Sequence, residues 1–188
     1  MTAPIRLHVG GETRKEGWVN FNVQPGPTVD IVGTCTKMPQ IAEASVAEIY
    51  ASHVLEHLSY VDELHQALAE FHRVLVPGGV LMASVPDFNL LCRLFLADGL
   101  TTQQRFEVMR LIFGGQLDPY DLHKVGLTHE FLDSYLRHAG FASVERVAAF
   151  DLFADASQIK VAGHLISLNV VARKGAATAG IAAGGTGA

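Results

Sequence analysis

Residues Leu7–Asn22 read LHVGGETRKEGWVNFN. An apolar run ends in a double glycine, and a second run of aromatic and β-branched residues follows after a few polar positions. Two such runs joined through paired glycines have the form of a nucleotide-binding turn. The connection is too short for the helix that usually separates two parallel strands. The fold therefore depends on whether the segments downstream supply a parallel sheet around this abbreviated turn.

The strand candidates are Ile5 to Val9, Trp18 to Val23, VDIVG from Val29, AEIYASHVL from Ala47 and GGVLMASVP from Gly78. The last reads as a fully buried parallel strand. Between the fourth and fifth, Leu64, Ala67, Leu68, Phe71, Val74 and Leu75 recur at helical spacing and predict a helix over about Val61 to Leu75. Ser59 followed by Asp62 is the expected capping box, and Pro77-Gly78-Gly79 the expected stop. Strand, helix and buried strand make a βαβ crossover, which requires a parallel sheet.

After Pro86 the pattern turns helical, with breaks at Asp98-Gly99 and Gly114-Gly115. Thr128 is expected to cap a further helix, with Phe131, Leu132, Tyr135, Leu136 and Ala139 inward, Gly140 at its end, and Leu127 stapled to Leu132. FASVERVAAF and HLISLNVVA follow with no helix between them and are expected to pair antiparallel at one edge. The reading is an α/β, three-layer Rossmann-like domain over residues 1–174 with its first crossover helix reduced or absent. An Ala/Gly-rich tail over 175–188 cannot build a core. The missing helix leaves an apolar sheet face, for which a homodimer or the tail is a candidate cover.

With 188 residues, 49% of them hydrophobic and a formal charge of −5, the chain has no general electrostatic reason to bind nucleic acid or an anionic membrane. No apolar run reaches the length of a membrane helix, and without a charged stretch followed by an apolar one at the start no secretory signal is expected. Cys35 and Cys92 form no CxxC pair and no zinc spacing, which reads as reduced thiols in a cytoplasmic protein.

LHVGG…GWVNFN, VDIVG, EIYASHVLEHL, EFHRVLVPGGVLMASVPD and AGF stand in the order found in class I S-adenosylmethionine-dependent methyltransferases. The chain resembles a compact, type 11-like group of predicted methyltransferases whose first two strands are joined by a short loop. The resemblance covers almost everything from Ile5 to Lys174. It implies S-adenosylmethionine as cofactor, with Gly10, Gly11, Asn22, Thr34, Cys35, Ser52 and His53 around it. Asn22 and Thr34 stand where members of the family commonly carry acidic residues, so the grip on the ribose and adenine must differ.

The densest polar cluster is FGGQLDPYDLHKVGLTHE, Phe113 to Glu130. A loop between apolar helices is where substrate contacts gather. His123, oriented by Asp121 or Asp118, is the candidate general base, and His57, one helical turn beyond His53, is a further catalytic candidate whose plainer account is a hydrogen-bonded histidine at a helix start. The plainer account is that these side chains satisfy loop backbone. His53 and His57 at this spacing suit a zinc ion, but Glu56 is not placed as in HExxH and no third ligand is near in sequence, so no metal is expected.

The leading expectation is methyl transfer to oxygen or nitrogen of a small-molecule acceptor. The alternative is a degenerate cofactor-binding or protein-interaction module without turnover. A nicotinamide-dependent oxidoreductase is disfavoured, because GxGxxG is absent and the short turn offers no helix N-terminus to a pyrophosphate.

Overall fold

The structure is a computed structural model that describes residues 3–177; the tail beyond residue 177 lies outside the described residues. Five parallel strands come first: β1 (Ile5–Val9), β2 (Trp18–Asn22), β3 (Ile31–Val32), β4 (Val46–Ser52) and β5 (Leu75–Pro86). Then follow β6 (Phe141–Val147), a separate hairpin of β7 (Lys160–Val161) and β8 (His164–Leu165), and β9 (Ser167–Lys174). β9 enters between β5 and β6 and runs antiparallel to both, giving the order β3-β2-β1-β4-β5-β9-β6. The expected antiparallel pair is present, and it closes the sheet rather than hanging beside it.

The helices are α1 (Glu63–Val74), α2 (Phe88–Leu96), α3 (Thr102–Phe113) and α4 (His129–His138). No helix separates β1 from β2, as the short loop requires. α1 forms where the periodicity puts it and buries Leu64, Ala67, Leu68, Phe71 and Val74. Each such large apolar side chain contributes about 1.5–3 kcal/mol by leaving water.

Its ends differ from the expectation. Asp62 is the N-cap and accepts from the Glu63 N–H, while the Glu63 carboxylate reaches back to the Ser59 N–H at 2.8 Å. The expected stop at Pro77-Gly78-Gly79 lies within β5 instead. The chain passes straight from helix to strand at Leu75, and Ala44 and Ser45 donate to the last helical carbonyls, of Arg73 and Val74. Those bonds remove the need for a glycine cap.

α4 is capped by Thr128 as expected, and Leu127 and Leu132 are both buried. Phe131 departs from the reading. It is 54% exposed, because the inner stripe runs through Leu132 and Leu136 and leaves Phe131 on its outer margin.

Side chains alternate across the sheet, as a pleated strand demands. One face presents Leu7, Val9, Phe21, Ile49, Ala51, Leu81 and Ala83 to α1, α4 and the segment around Met38 and Ile41. The other presents His8, Trp18, Asn20, Tyr50 and Met82, and here a strap takes the place of a helix layer. Phe150, Leu152 and Phe153, from the connection after β6, close this face. The Phe153 ring lies 4.0 Å from His8, 5.1 Å from Tyr50 and 5.4 Å from Trp18, and the Tyr50 hydroxyl donates to Asp155 at 2.8 Å. The chain itself thus covers the face for which a dimer or the tail was the candidate.

Asn20 holds the loops that stand in for the missing helices. Its side-chain amide donates to the Thr13 and Thr28 carbonyls at 3.2 and 2.9 Å, and its N–H donates to Asp30 at 2.9 Å.

Candidate functional site

The carboxyl ends of β1 to β4 open into a cleft of about 350 Å³. Gly10, Asn22, Thr34, Cys35, His53 and His57 line it together. Gly10 has φ +73, its N–H donates to the Phe21 carbonyl at 2.8 Å, and a Cβ there would stand 2.6 Å from Val54 Cγ2. That combination of left-handed backbone and close approach suits glycine alone.

Gly11 and Ser52 are placed differently from the expectation. A Cβ on Gly11 would come within 2.5 Å of the His8 ring and 2.9 Å of Asn20 Oδ1, so this glycine faces the strap side of the sheet. Ser52 ends β4 with a buried hydroxyl that has no partner, and it does not line the cleft.

The polar lining is partly engaged already. The Asn22 side chain accepts from the Gln24 N–H at 3.0 Å, and the Thr34 and Thr36 hydroxyls lie 2.8 Å apart. Burial pushes the Cys35 thiol up to about 12, which leaves it neutral and unreactive. Sequence reasoning passed over Glu12, Gln24, Glu63 and Tyr120, all of which line this cleft. Glu12 had a local signal, being an acidic residue directly after the paired glycines. Glu63 read only as a helix-start residue, since the contact with Lys124 that sets it at the cleft is made by the fold.

A second cleft of about 490 Å³ adjoins the first and shares His53 and His57 with it. Asp121, His123, Glu107 and Arg110 line the rest. Pro119, Tyr120 and Lys124 of the long loop border the first cleft without filling it.

Neither aspartate orients His123. Asp118 lines neither cleft and accepts from the Tyr120 N–H at 2.7 Å, as a turn residue does. Asp121 accepts from the N–H groups of Gly115 and Leu117, both at 3.2 Å. His123 instead places Nδ1 3.0 Å from the Leu111 carbonyl. A carbonyl can only accept, so Nδ1 carries the proton and Nε2 of the neutral ring keeps its lone pair. Burial pushes the His123 pKa down, against the nearby charge of Glu56. The aspartates fell short because their own loop needs their oxygens.

The residue that binds the two halves of the site is Glu56. It is 1% exposed, and its backbone carbonyl accepts from the N–H groups of Lys124 and Val125, which fixes the His123 segment against the turn after β4. One carboxylate oxygen lies 3.2 Å from His53 Nδ1, close enough for an ion pair but not directed as a hydrogen bond. Burial pushes its pKa up, but the neighbouring imidazoles, His53 foremost, prevail, and the net direction is down. His53 has φ +52 and places Nε2 2.9 Å from Ser167 Oγ. Glu56, His57 and His123 bring one potential ligand atom each to within 4.8 Å of one another.

Similarity to known proteins bears on the fold. Residues 13–83 match the family described as a methyltransferase domain. No curated protein sequence matches. Among solved structures, CurJ carbon methyltransferase is similar with a TM-score of 0.57 and 15% identity, over 93% of this chain and 49% of that one. A SAM-dependent methyltransferase from Archaeoglobus fulgidus gives 0.59 and 13% over 92% of this chain and 86% of that one. The Burkholderia thailandensis 1,6-didemethyltoxoflavin-N1-methyltransferase, solved with 1,6-didemethyltoxoflavin and S-adenosylhomocysteine bound, gives 0.55 and 18% over 92% of this chain and 72% of that one. The chain spans 49% and 63% of the length of two of the matched structures. With the strand order, the abbreviated first turn and the cleft at the strand ends all in place, the chain has the fold of the class I S-adenosylmethionine-dependent methyltransferases.

Proposed function

We propose that the chain transfers a methyl group from S-adenosylmethionine to oxygen or nitrogen of a small-molecule acceptor. The observation that carries this reading is the pair of adjoining clefts with His53 and His57 as their common wall. The first lies at the strand ends, where open α/β sheets bind their ligands, and its volume falls within the range of about 300–1,000 Å³ usual for small-molecule sites. Its donor set fits the cofactor: Gly10 admits close approach of the methionine part, and Asn22, Gln24, Glu12 and Thr34 offer hydrogen-bonding groups to ribose and adenine.

The cofactor supplies an electrophilic methyl on a sulfonium. Alignment across the shared wall provides much of the acceleration, since the reaction is a direct displacement. The acceptor occupies the second cleft, where the His123 lone pair can take its proton. Free Cys35 and Cys92 support a cytoplasmic location, and the small clefts favour a small acceptor over nucleic acid. Among the described residues no helix is long and apolar enough to cross a membrane.

The first test is calorimetry with S-adenosylhomocysteine; no heat and no thermal shift at millimolar ligand would end the proposal. The second is release of S-adenosylhomocysteine from S-adenosylmethionine against a panel of hydroxyl and amine acceptors. His123→Ala should lower turnover far more than cofactor affinity. Binding without turnover on any acceptor would instead favour a degenerate binding module, a reading that the non-acidic Asn22 keeps alive.

A further inference from the structure

We infer that Glu56, His57 and His123 form a site for a divalent transition-metal ion of the zinc class, at the boundary between the two clefts. The set is two imidazoles and one carboxylate, the donor types such ions take when a coordination position stays open for substrate. Three observations point to an ion rather than to an internal hydrogen-bond network.

The first is that the Glu56 carboxylate is buried, and neither of its oxygens has a well-directed hydrogen-bond partner. A buried carboxylate in that condition costs several kcal/mol unless a cation balances it. The second is the state of the two rings. His123 Nδ1 is held by the Leu111 carbonyl at 3.0 Å and His57 Nδ1 by the Leu122 carbonyl at 3.3 Å. Backbone carbonyls fix the proton on Nδ1 in both, which leaves Nε2 as the free ligand atom. Metal-binding histidines are characteristically oriented by such an outer bond. The third is the His53 contact to one Glu56 oxygen, which orients the carboxylate from outside the set.

One potential ligand atom from each of the three side chains lies within 4.8 Å of the others. Bonds of about 2.0–2.1 Å around a tetrahedral ion bring ligands to roughly 3.3 Å apart, so the three side chains must draw in by about 1.5 Å. Glu56 is pinned by its backbone, and the half-buried His57 and His123 rings would supply that movement by pivoting on their Nδ1 contacts.

Because His57 lines both clefts and His123 the second, the open position faces the acceptor. The ion would bind an acceptor through a hydroxyl or amine and lower its pKa, the work given above to the His123 lone pair. The acceptor's proton leaves to solvent and its lone pair forms the bond to the methyl carbon. The carbon–sulfur bond breaks with its electron pair going to sulfur, giving S-adenosylhomocysteine. This step rests on the proposed methyl transfer; the ion site itself does not.

The experiment uses tag-free full-length protein stripped with a chelator. Cobalt(II) serves as the spectroscopic probe and zinc(II) is titrated by calorimetry. One equivalent of cobalt should develop the visible absorption of a low-coordinate site, and zinc should displace it. His57→Ala and His123→Ala should each weaken zinc binding on the order of 100-fold while keeping the wild-type circular dichroism. Glu56→Gln should do the same if it folds, and the two histidine variants decide the matter if it does not. Absence of the cobalt band, or zinc binding unchanged in both histidine variants, would overturn the site. S-adenosylhomocysteine binding is measured separately on the metal-free protein. Cofactor binding without metal binding removes the ion and keeps methyl transfer; metal binding without cofactor binding keeps the site and removes methyl transfer.

Discussion

Lowering the pH should strip stability from this protein chiefly through one buried imidazole, on the strap side of the sheet. His8 is 4% exposed under Phe153, and its Nδ1 has no partner. Burial pushes its pKa down to about 4, against the smaller raising effects of the Asp155 charge, the Asn20 side chain and the Thr13 backbone. In the unfolded chain the group titrates near 6.5, so between pH 6.5 and 4 the unfolded state holds a proton the folded state lacks. Stability attributable to His8 is then complete above pH 6.5 and falls by about 1.4 kcal/mol per pH unit below it, a loss of about 3 kcal/mol by pH 4. Denaturant melts followed by Trp18, the one tryptophan, report from the same cluster. Burial also depresses His72 and His123, and both add to the slope in this window. The comparison with His8→Gln isolates the His8 share. The wild type should lose about 2 kcal/mol more than the variant between pH 7 and pH 5. Parallel loss in the two proteins would refute the burial argument.

Gly10→Ala should weaken S-adenosylhomocysteine binding about tenfold, because φ +73 costs a side chain about 1–2 kcal/mol and the new Cβ displaces Val54 from the cleft wall; unchanged affinity by calorimetry would place the cofactor elsewhere. Asp121→Ala should destabilise its loop by about 1–2 kcal/mol, through lost acceptors for Gly115 and Leu117. Hydrogen exchange at those two amides should quicken while cofactor affinity stays within twofold. A thiol reagent should label the partly exposed Cys92 first and reach Cys35 only on unfolding; equal rates at both would contradict the burial of Cys35.

Most of the framework is legible along the chain because it is written in local patterns. The Leu64 to Val74 stripe, the Thr128 cap and the Leu127–Leu132 pair each depend on residues a few positions apart. The short first loop also signals its missing helix by length alone. What resists reading is made by contacts across the chain. Nothing near Phe153 says that it will lie on His8. The same holds for the site. Gly10, Asn22 and Thr34 follow from strand ends, but Glu56 gains its weight from the distant loop whose Lys124 and Val125 N–H groups bond its carbonyl and bring His123 beside it. Asp121 and Asp118 mislead because a carboxylate beside a histidine in sequence can as readily bond the backbone of its own turn.

The insertion of β9 between β5 and β6 sets an order of events during synthesis. All the parallel pairings of β1 to β5 are available once Pro86 has left the ribosome. The outer edge of β5 then waits for its antiparallel neighbour, which begins at Ser167, roughly 80 residues later. At about 5–20 residues per second that is a delay of roughly 4–16 s. Throughout it, a nascent chain carries a bare apolar edge, and the strap that shields Trp18 and Tyr50 has yet to emerge. Chaperone dependence and misassembly in this protein should therefore concentrate in that interval, and a premature stop before β9 should yield insoluble product rather than a smaller folded domain.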